Sequence, residues 1–153
     1  MITYKIGDAT VPGGTKIIAH VVNCKGYWGK GFVVALNHMW PGVRDAYMTY
    51  VHTSKGEELL GKVFYYQEEL PHVCIANMFA QEDIAKRSNP SPLSYDALER
   101  CLDDVKDMAN YLHASVHMPR IGTGLAGGDW SRIEPLINKY LKDVEVTVYT
   151  LGE

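Results

Sequence analysis

Ile17-Ile18-Ala19-His20-Val21-Val22-Asn23-Cys24-Lys25-Gly26-Tyr27-Trp28-Gly29-Lys30-Gly31 is the stretch that decides the fold. Its first part is apolar at nearly every position, without the alternation of a half-exposed strand. Such runs suit a strand covered on both faces. The second part is rich in glycine and leads into a segment where Val33, Leu36 and Trp40 share a helical face that Pro41 stops. A strand, a glycine loop and a helix in that order can present backbone N–H groups to an anion. Glycine permits close approach and positive φ, although the same residues also make ordinary tight turns.

The pattern occurs a second time. Gly122-Thr123-Gly124-Leu125-Ala126-Gly127-Gly128 also lies between a predicted strand and a predicted helix. Two such loops imply a shared crevice at the carboxyl ends of one sheet. Val63-Phe64-Tyr65-Tyr66 and Val73-Cys74-Ile75-Ala76 are β-rich runs on either side of Pro71, and Val144 to Tyr149 reads as a last strand. Leu98, Leu102, Val105 and Leu112 share a helical face, with Ser94 placed to cap it. Ile133, Leu136, Ile137, Tyr140 and Leu141 mark another helix, and Val43 to Val51 a further one. Strands alternating with helices predict an α/β domain with a parallel or mixed sheet and helices on both faces. Gln81 to Pro92, ending in Asn89-Pro90-Ser91-Pro92, reads as a loop.

At 153 residues the chain fits a single domain. The 46% of hydrophobic residues suffices for a core, and no run approaches the ~20 apolar residues of a membrane span. The N-terminus lacks a signal-peptide stretch, and the three cysteines show no paired spacing. These features point to a reducing cytoplasm and no membrane. A net charge of −3 with scattered basic residues argues against coating of duplex nucleic acid. There is no Gly-x-x-x-x-Gly-Lys-Ser/Thr and no Gly-x-Gly-x-x-Gly with its ribose-binding acid. An ATPase or nicotinamide dehydrogenase is therefore a poor fit. His and Cys spacing gives no metal site, and no cofactor is expected. Cys24 opens a glycine loop, yet without an evident partner base it reads as a small buried thiol.

Several segments together resemble a macrodomain. Gly7-Asp8-Ala9-Thr10 is similar to the opening motif of that family. Ile18 to Gly31 resembles its ribose-binding loop, and Met118 to Trp130 its phosphate loop. Val146-Thr147-Val148-Tyr149 is similar to its closing strand. The resemblance spans nearly the whole of residues 1–153, in family order. It implies one three-layer α/β/α domain with a central mixed sheet that binds ADP-ribose or ADP-ribose 1″-phosphate, as a monomer. Within the superfamily, Asn23-Cys24-Lys25-Gly26 with Trp28-Gly29-Lys30-Gly31 favours ADP-ribose 1″-phosphate phosphatases over terminal ADP-ribose protein glycohydrolases. The glycohydrolases carry a lysine just after the strand matching Val73–Asn77, where this chain has Asn77-Met78-Phe79-Ala80-Gln81, with Lys86 several residues late. They also carry an acid where this chain has Ala126. The implied activity is metal-independent hydrolysis of the 1″-phosphate. Hydrolysis of ADP-ribose from modified protein or nucleic acid, and non-catalytic reading of ADP-ribose, are the alternatives.

The resemblance assigns ligand contacts to Gly7, Asp8, Ala9, Asn23, Gly29, Lys30, Gly31, Phe32, Gly122, Thr123, Gly124, Leu125, Ala126 and Tyr149. Asp8 would accept from the adenine amine, or else cap a turn. Asn23 would reach the distal ribose hydroxyls, or else shape its loop. Tyr27 and Trp28 would cover that ribose and Phe79 and Tyr149 would pack near the adenine, with core burial as the rival for all four. His20 and Asp129 are the catalytic candidates, to orient water or protonate the leaving oxygen. For His20 the alternative is a satisfied core histidine, and for Asp129 a helix cap.

Overall fold

A computed structural model describes residues 2–10, 14–54, 57–68 and 73–151. Its elements, in order, are β1 (Ile2–Ile6), β2 (Lys16–Asn23), α1 (Phe32–Met39), α2 (Gly42–Thr53), β3 (Val63–Glu68), β4 (Val73–Gln81), α3 (Tyr95–Leu112), β5 (Ser115–Pro119), α4 (Trp130–Tyr140) and β6 (Val146–Thr150). The strands form one sheet in the order β1-β6-β5-β2-β4-β3. All neighbours are parallel except β3, which runs antiparallel to β4. The sheet is therefore mixed, as the sequence predicts.

Side-chain alternation along β2 and β4 divides the core in two. Ile17, Ala19, Cys74, Ala76, Met78 and Ala80 face the inner sides of α3 and α4, among Leu98, Leu102, Val105, Ile133 and Ile137. Ile18, Val73 and Ile75 face α1 and the start of α2 through Leu36, Trp40 and Val43, while Val22 and Phe79 meet Tyr47. Both central strands are buried almost throughout, which explains their unbroken apolar runs. Ser94 caps α3, its hydroxyl accepting from the Ala97 amide. The α1 helix ends at Met39 with Trp40 as its C-cap, just before Pro41. Gln81, expected to open a loop, instead ends β4, where it pairs with Asn23, and residues 82–92 form the non-helical connection.

Two features of this topology make a crevice. First, β2 feeds a helix on one face of the sheet, while its neighbour β5 feeds α4 on the other. Loops leaving in opposite directions leave a gap at the strands' carboxyl ends. Second, the β2–β5 ladder pairs only Lys16 with Ser115, Ile17 with Val116 and Ile18 with His117. Beyond Ile18, β2 continues to Asn23 while β5 ends at Pro119, which has no N–H to pair.

Candidate functional site

The gap is a cavity of ≈ 690 Å³ lined by His20 to Asn23, Tyr27 to Val33, Gln81, Ile84, Ala85 and Pro119 to Ala126. That size suits a ligand of nucleotide dimensions. Both glycine loops meet there, so Asn23, Gly29, Lys30, Gly31, Phe32 and Gly122 to Ala126 line one wall or another. Among the described residues, no carboxylate lines the cavity, and the charged lining residues are Lys30 and Arg120. Arg120 is tethered by its surroundings. Its guanidinium lies 5.4 Å from the ring centres of Tyr4 and of Trp130, and its Nε donates to Thr150 Oγ1 at 3.4 Å.

The lining is rich in backbone donors without partners. Among the described residues, the amides of Gly29 to Val33 and of Gly122 to Ala126 donate to no protein group. At Gly31, φ 81° and ψ −145° place the backbone where essentially only glycine goes. That turn starts α1 with no side-chain cap, leaving its positive end open to the crevice. The other loop is held by Gly128 N–H donating to Gly122 O at 2.7 Å and Gly127 N–H to Gly124 O at 3.1 Å. A Cβ on Gly128 would fall 2.5 Å from Gly122 O, so the turn requires glycine there. Unmet amides, an uncapped helix start and a lining without carboxylates are what a phosphate-bearing anion needs.

His20 occupies the β2 wall and is 2% exposed. Its Nε2 lies 2.7 Å from Oδ1 of Asn77, its register partner on β4. The imidazole also packs against Trp28 and Phe32, with ring centres 5.5 and 5.8 Å away. Burial pushes its pKa down to about 4, with the Asn77 bond opposing the shift. The ring is thus uncharged at neutral pH. Trp28 is wedged between His20 and Tyr47, and its Nε1 is a buried donor with no partner.

Asn23 is buried, and its side chain builds the loop. Oδ1 accepts from Lys25 N–H at 3.0 Å, Tyr27 N–H at 3.1 Å and Tyr47 Oη at 3.1 Å, while Nδ2 donates to Tyr27 O at 2.8 Å. An amide nitrogen has two protons, so one remains for a ligand. Cys24 is half-buried, and burial together with Glu82 pushes its thiol up to about 12. It is therefore not a ready nucleophile. Among the described residues, no three His, Cys, Asp or Glu side chains gather into a metal-binding group.

Other candidates lie off this crevice. Asp129 is exposed and caps α4, Oδ1 accepting from Ser131 N–H at 2.9 Å and Ser131 Oγ at 2.7 Å. Those bonds hold its carboxyl below the usual range. Gly7, Asp8 and Ala9 follow β1, at the sheet's edge. Asp8 Oδ1 accepts from Thr10 N–H at 2.8 Å and Thr10 Oγ1 at 2.7 Å, and Gly7 N–H donates to Thr150 O. Residues 11–13, which follow this turn, lie outside the described residues. Tyr149 sits on β6, its hydroxyl 2.6 Å from His117 Nδ1. Phe79 is fully buried, stacked with Tyr47 and Tyr50, so it packs the core instead of an adenine. Gln81, Ile84 and Ala85, by contrast, line the crevice although their sequence reads only as a loop. With Tyr27 and Leu125, Ile84 forms an exposed apolar rim.

The Macro domain family model matches residues 19–137. A macrodomain protein from Streptomyces coelicolor is 44% identical, with a TM-score of 0.85 over 99% of this chain and 100% of that one. An ADP-ribose 1″-phosphate phosphatase from Candida albicans is 25% identical over 99% of this chain and all of that protein. A DNA ADP-ribosyl glycohydrolase from Mycobacterium bovis is 31% identical over 97% of this chain, which spans 42% of that protein. With the sheet order, the two glycine loops and the crevice between them, these matches show that the chain belongs to the macrodomain family.

Proposed function

We propose that this crevice binds ADP-ribose and its 1″-phosphate and hydrolyses the phosphate monoester without a metal. The observation that carries the reading is the pair of unpartnered amide runs, Gly29 to Val33 and Gly122 to Ala126, in a lining without carboxylates. They would hold the diphosphate and the terminal phosphate. Several amides must act together, because a helix end alone contributes only about 0.3–1 kcal/mol to an anion. The remaining Asn23 amide proton would meet a distal ribose hydroxyl. The adenine would extend toward Asp8 and Tyr149. In this reading water attacks phosphorus and the P–O1″ bond breaks; the proton the water gives up passes by way of the phosphoryl oxygens to the departing O1″, which leaves as the hydroxyl of ADP-ribose beside inorganic phosphate. The amides neutralise charge as it spreads over the phosphoryl oxygens. His20 is neutral and would orient the water. Likeness to the Candida albicans phosphatase over the full length of both chains supports this reading.

Removal of ADP-ribose from DNA or protein is the second reading, supported by the 31% identity to the mycobacterial glycohydrolase. Ala126 in the phosphate loop and the missing lysine weigh against a covalent version of it. The deciding experiment presents three substrates in the presence of a chelator. ADP-ribose 1″-phosphate is expected to release inorganic phosphate. Release of ADP-ribose from modified DNA or protein instead would establish the second reading. Tight ADP-ribose binding without turnover of any substrate would mark a reader.

A further inference from the structure

Asn77 is fully buried and lies beside His20 on the adjacent strand. Its Nδ2 donates to Phe64 O at 3.0 Å, across the antiparallel β3–β4 pair. A carbonyl can only accept, so this bond fixes which end of the amide is nitrogen. Asn77 therefore turns Oδ1 toward His20, and Oδ1 can only accept. The 2.7 Å bond to His20 Nε2 then requires the proton on Nε2. In a neutral ring, Nδ1 is left as a bare acceptor. Among the described residues, no protein group hydrogen-bonds to Nδ1. The buried side-chain polar atom without a partner, among the described residues, is Trp28 Nε1, so Nδ1 is not sealed in the core. His20 lines the crevice, so we infer that Nδ1 is the polar edge it presents there. The rings of Trp28 and Phe32 pack against the imidazole.

We propose that Asn77 is a positioning residue of the site, which locks His20 as a neutral acceptor at Nδ1 so that the group bound there must be a donor. The inference rests on the ligand reading above and sharpens it. A lone pair repels an ionised phosphate oxygen and welcomes water or a ribose hydroxyl. His20 thus sets the polarity of the crevice: the hydroxyl-bearing end of the ligand faces β2, and the phosphates face the amides of the two loops. An imidazole with the opposite tautomer would offer a donor to phosphate and erase this distinction.

Nitrogen NMR of the uniformly labelled protein tests the lock without reference to turnover. His20 is expected to show a protonated Nε2 and a bare Nδ1 from pH 5.5 to 8. A protonated Nδ1, or an averaged pair of shifts, overturns the proposal even if the enzyme is active. Asn77→Leu removes both hydrogen bonds and is expected to average the two tautomers and lower kcat at least about tenfold, with KM little changed. Asn77→Asp keeps an acceptor for Nε2, so it is expected to restore the Nε2–H tautomer while raising the pKa of His20. An Asn77→Leu protein that folds and keeps both the single tautomer and full kcat overturns the proposal. If Asn77→Leu does not fold, the wild-type tautomer and the Asn77→Asp titration decide. Absence of turnover on every substrate, with the wild-type tautomer as described, defeats the phosphatase reading and leaves the lock standing.

Discussion

His20 sits in a buried strand, and its burial has a thermodynamic consequence. Its pKa falls from an ordinary value of 6.5 to about 4 on folding. The unfolded chain therefore binds this proton more readily than the native one, and stability rises with pH between the two values. The contribution is complete above pH 6.5 and is lost as pH falls toward 4, by about 3 kcal/mol. Urea unfolding at pH 7.5 and pH 4.5 should show that loss. His20→Gln, which can still donate to Asn77 but does not titrate, should show a smaller one. Equal pH dependence in both proteins would mean that His20 is not buried and neutral. The sequence places His20 correctly within an apolar strand but leaves open whether it serves the core or the site. The structure places it at the boundary of the two, because its Nε2 is bonded to the buried Asn77 and the residue lines the crevice. Asn77 is not legible from sequence at all. Its partner is 57 residues away, and only the strand register joins them.

The two helices that follow the glycine loops begin differently, and the difference is testable. The α1 helix starts from Gly31 with no side-chain cap, whereas α4 is capped by Asp129. Gly31→Ala places a Cβ in open space, so its cost is confined to the backbone, about 1–3 kcal/mol. If the loop relaxes to avoid that cost, the amides of Gly31 to Val33 turn from the ligand. Either way ADP-ribose binding is expected to weaken about tenfold or more by calorimetry. Unchanged affinity would remove this loop from the site. Asp129→Ala should lower the melting temperature by about 2–4 °C and Asp129→Asn should restore it, because asparagine caps equally well. If kcat falls in both variants while stability recovers only in the second, the carboxylate acts in catalysis and the cap is incidental. The glycine loops and helix faces are legible in the sequence because each is written in local spacing. Gln81, Ile84 and Ala85 are not. Gln81 reaches Asn23 only through a register shift in the β2–β4 ladder that no local pattern announces.

Across the whole molecule, the site read from sequence is longer than the crevice that the structure encloses. His20, Asn23 and both glycine loops converge at the β2–β5 gap, whereas Asp8 and Tyr149 lie toward β1 and β6. Three strand spacings separate β2 from β1, about 14 Å in all. Sequence motifs order residues along the chain but do not say how far apart the strands bring them. A ligand that uses both regions must therefore bridge them, with its ribose end in the crevice and its adenine over the β6 and β1 ends. Bridging predicts an affinity pattern. A ligand at 100 times its Kd stabilises the fold by about 2.7 kcal/mol, which in a domain of this size raises the melting temperature by roughly 5–10 °C. ADP-ribose at millimolar concentration is expected to reach that range. AMP, which reaches only the outer region, and ribose 5-phosphate, which reaches only the crevice, should each give a small fraction of it. Asp8→Ala should reduce the shift from ADP-ribose and AMP but leave that from ribose 5-phosphate unchanged. If ribose 5-phosphate alone produces the full shift, the crevice is the whole site and Asp8 and Tyr149 serve only the fold. If AMP alone does so, the adenine end dominates and the amides of the glycine loops contribute little to binding.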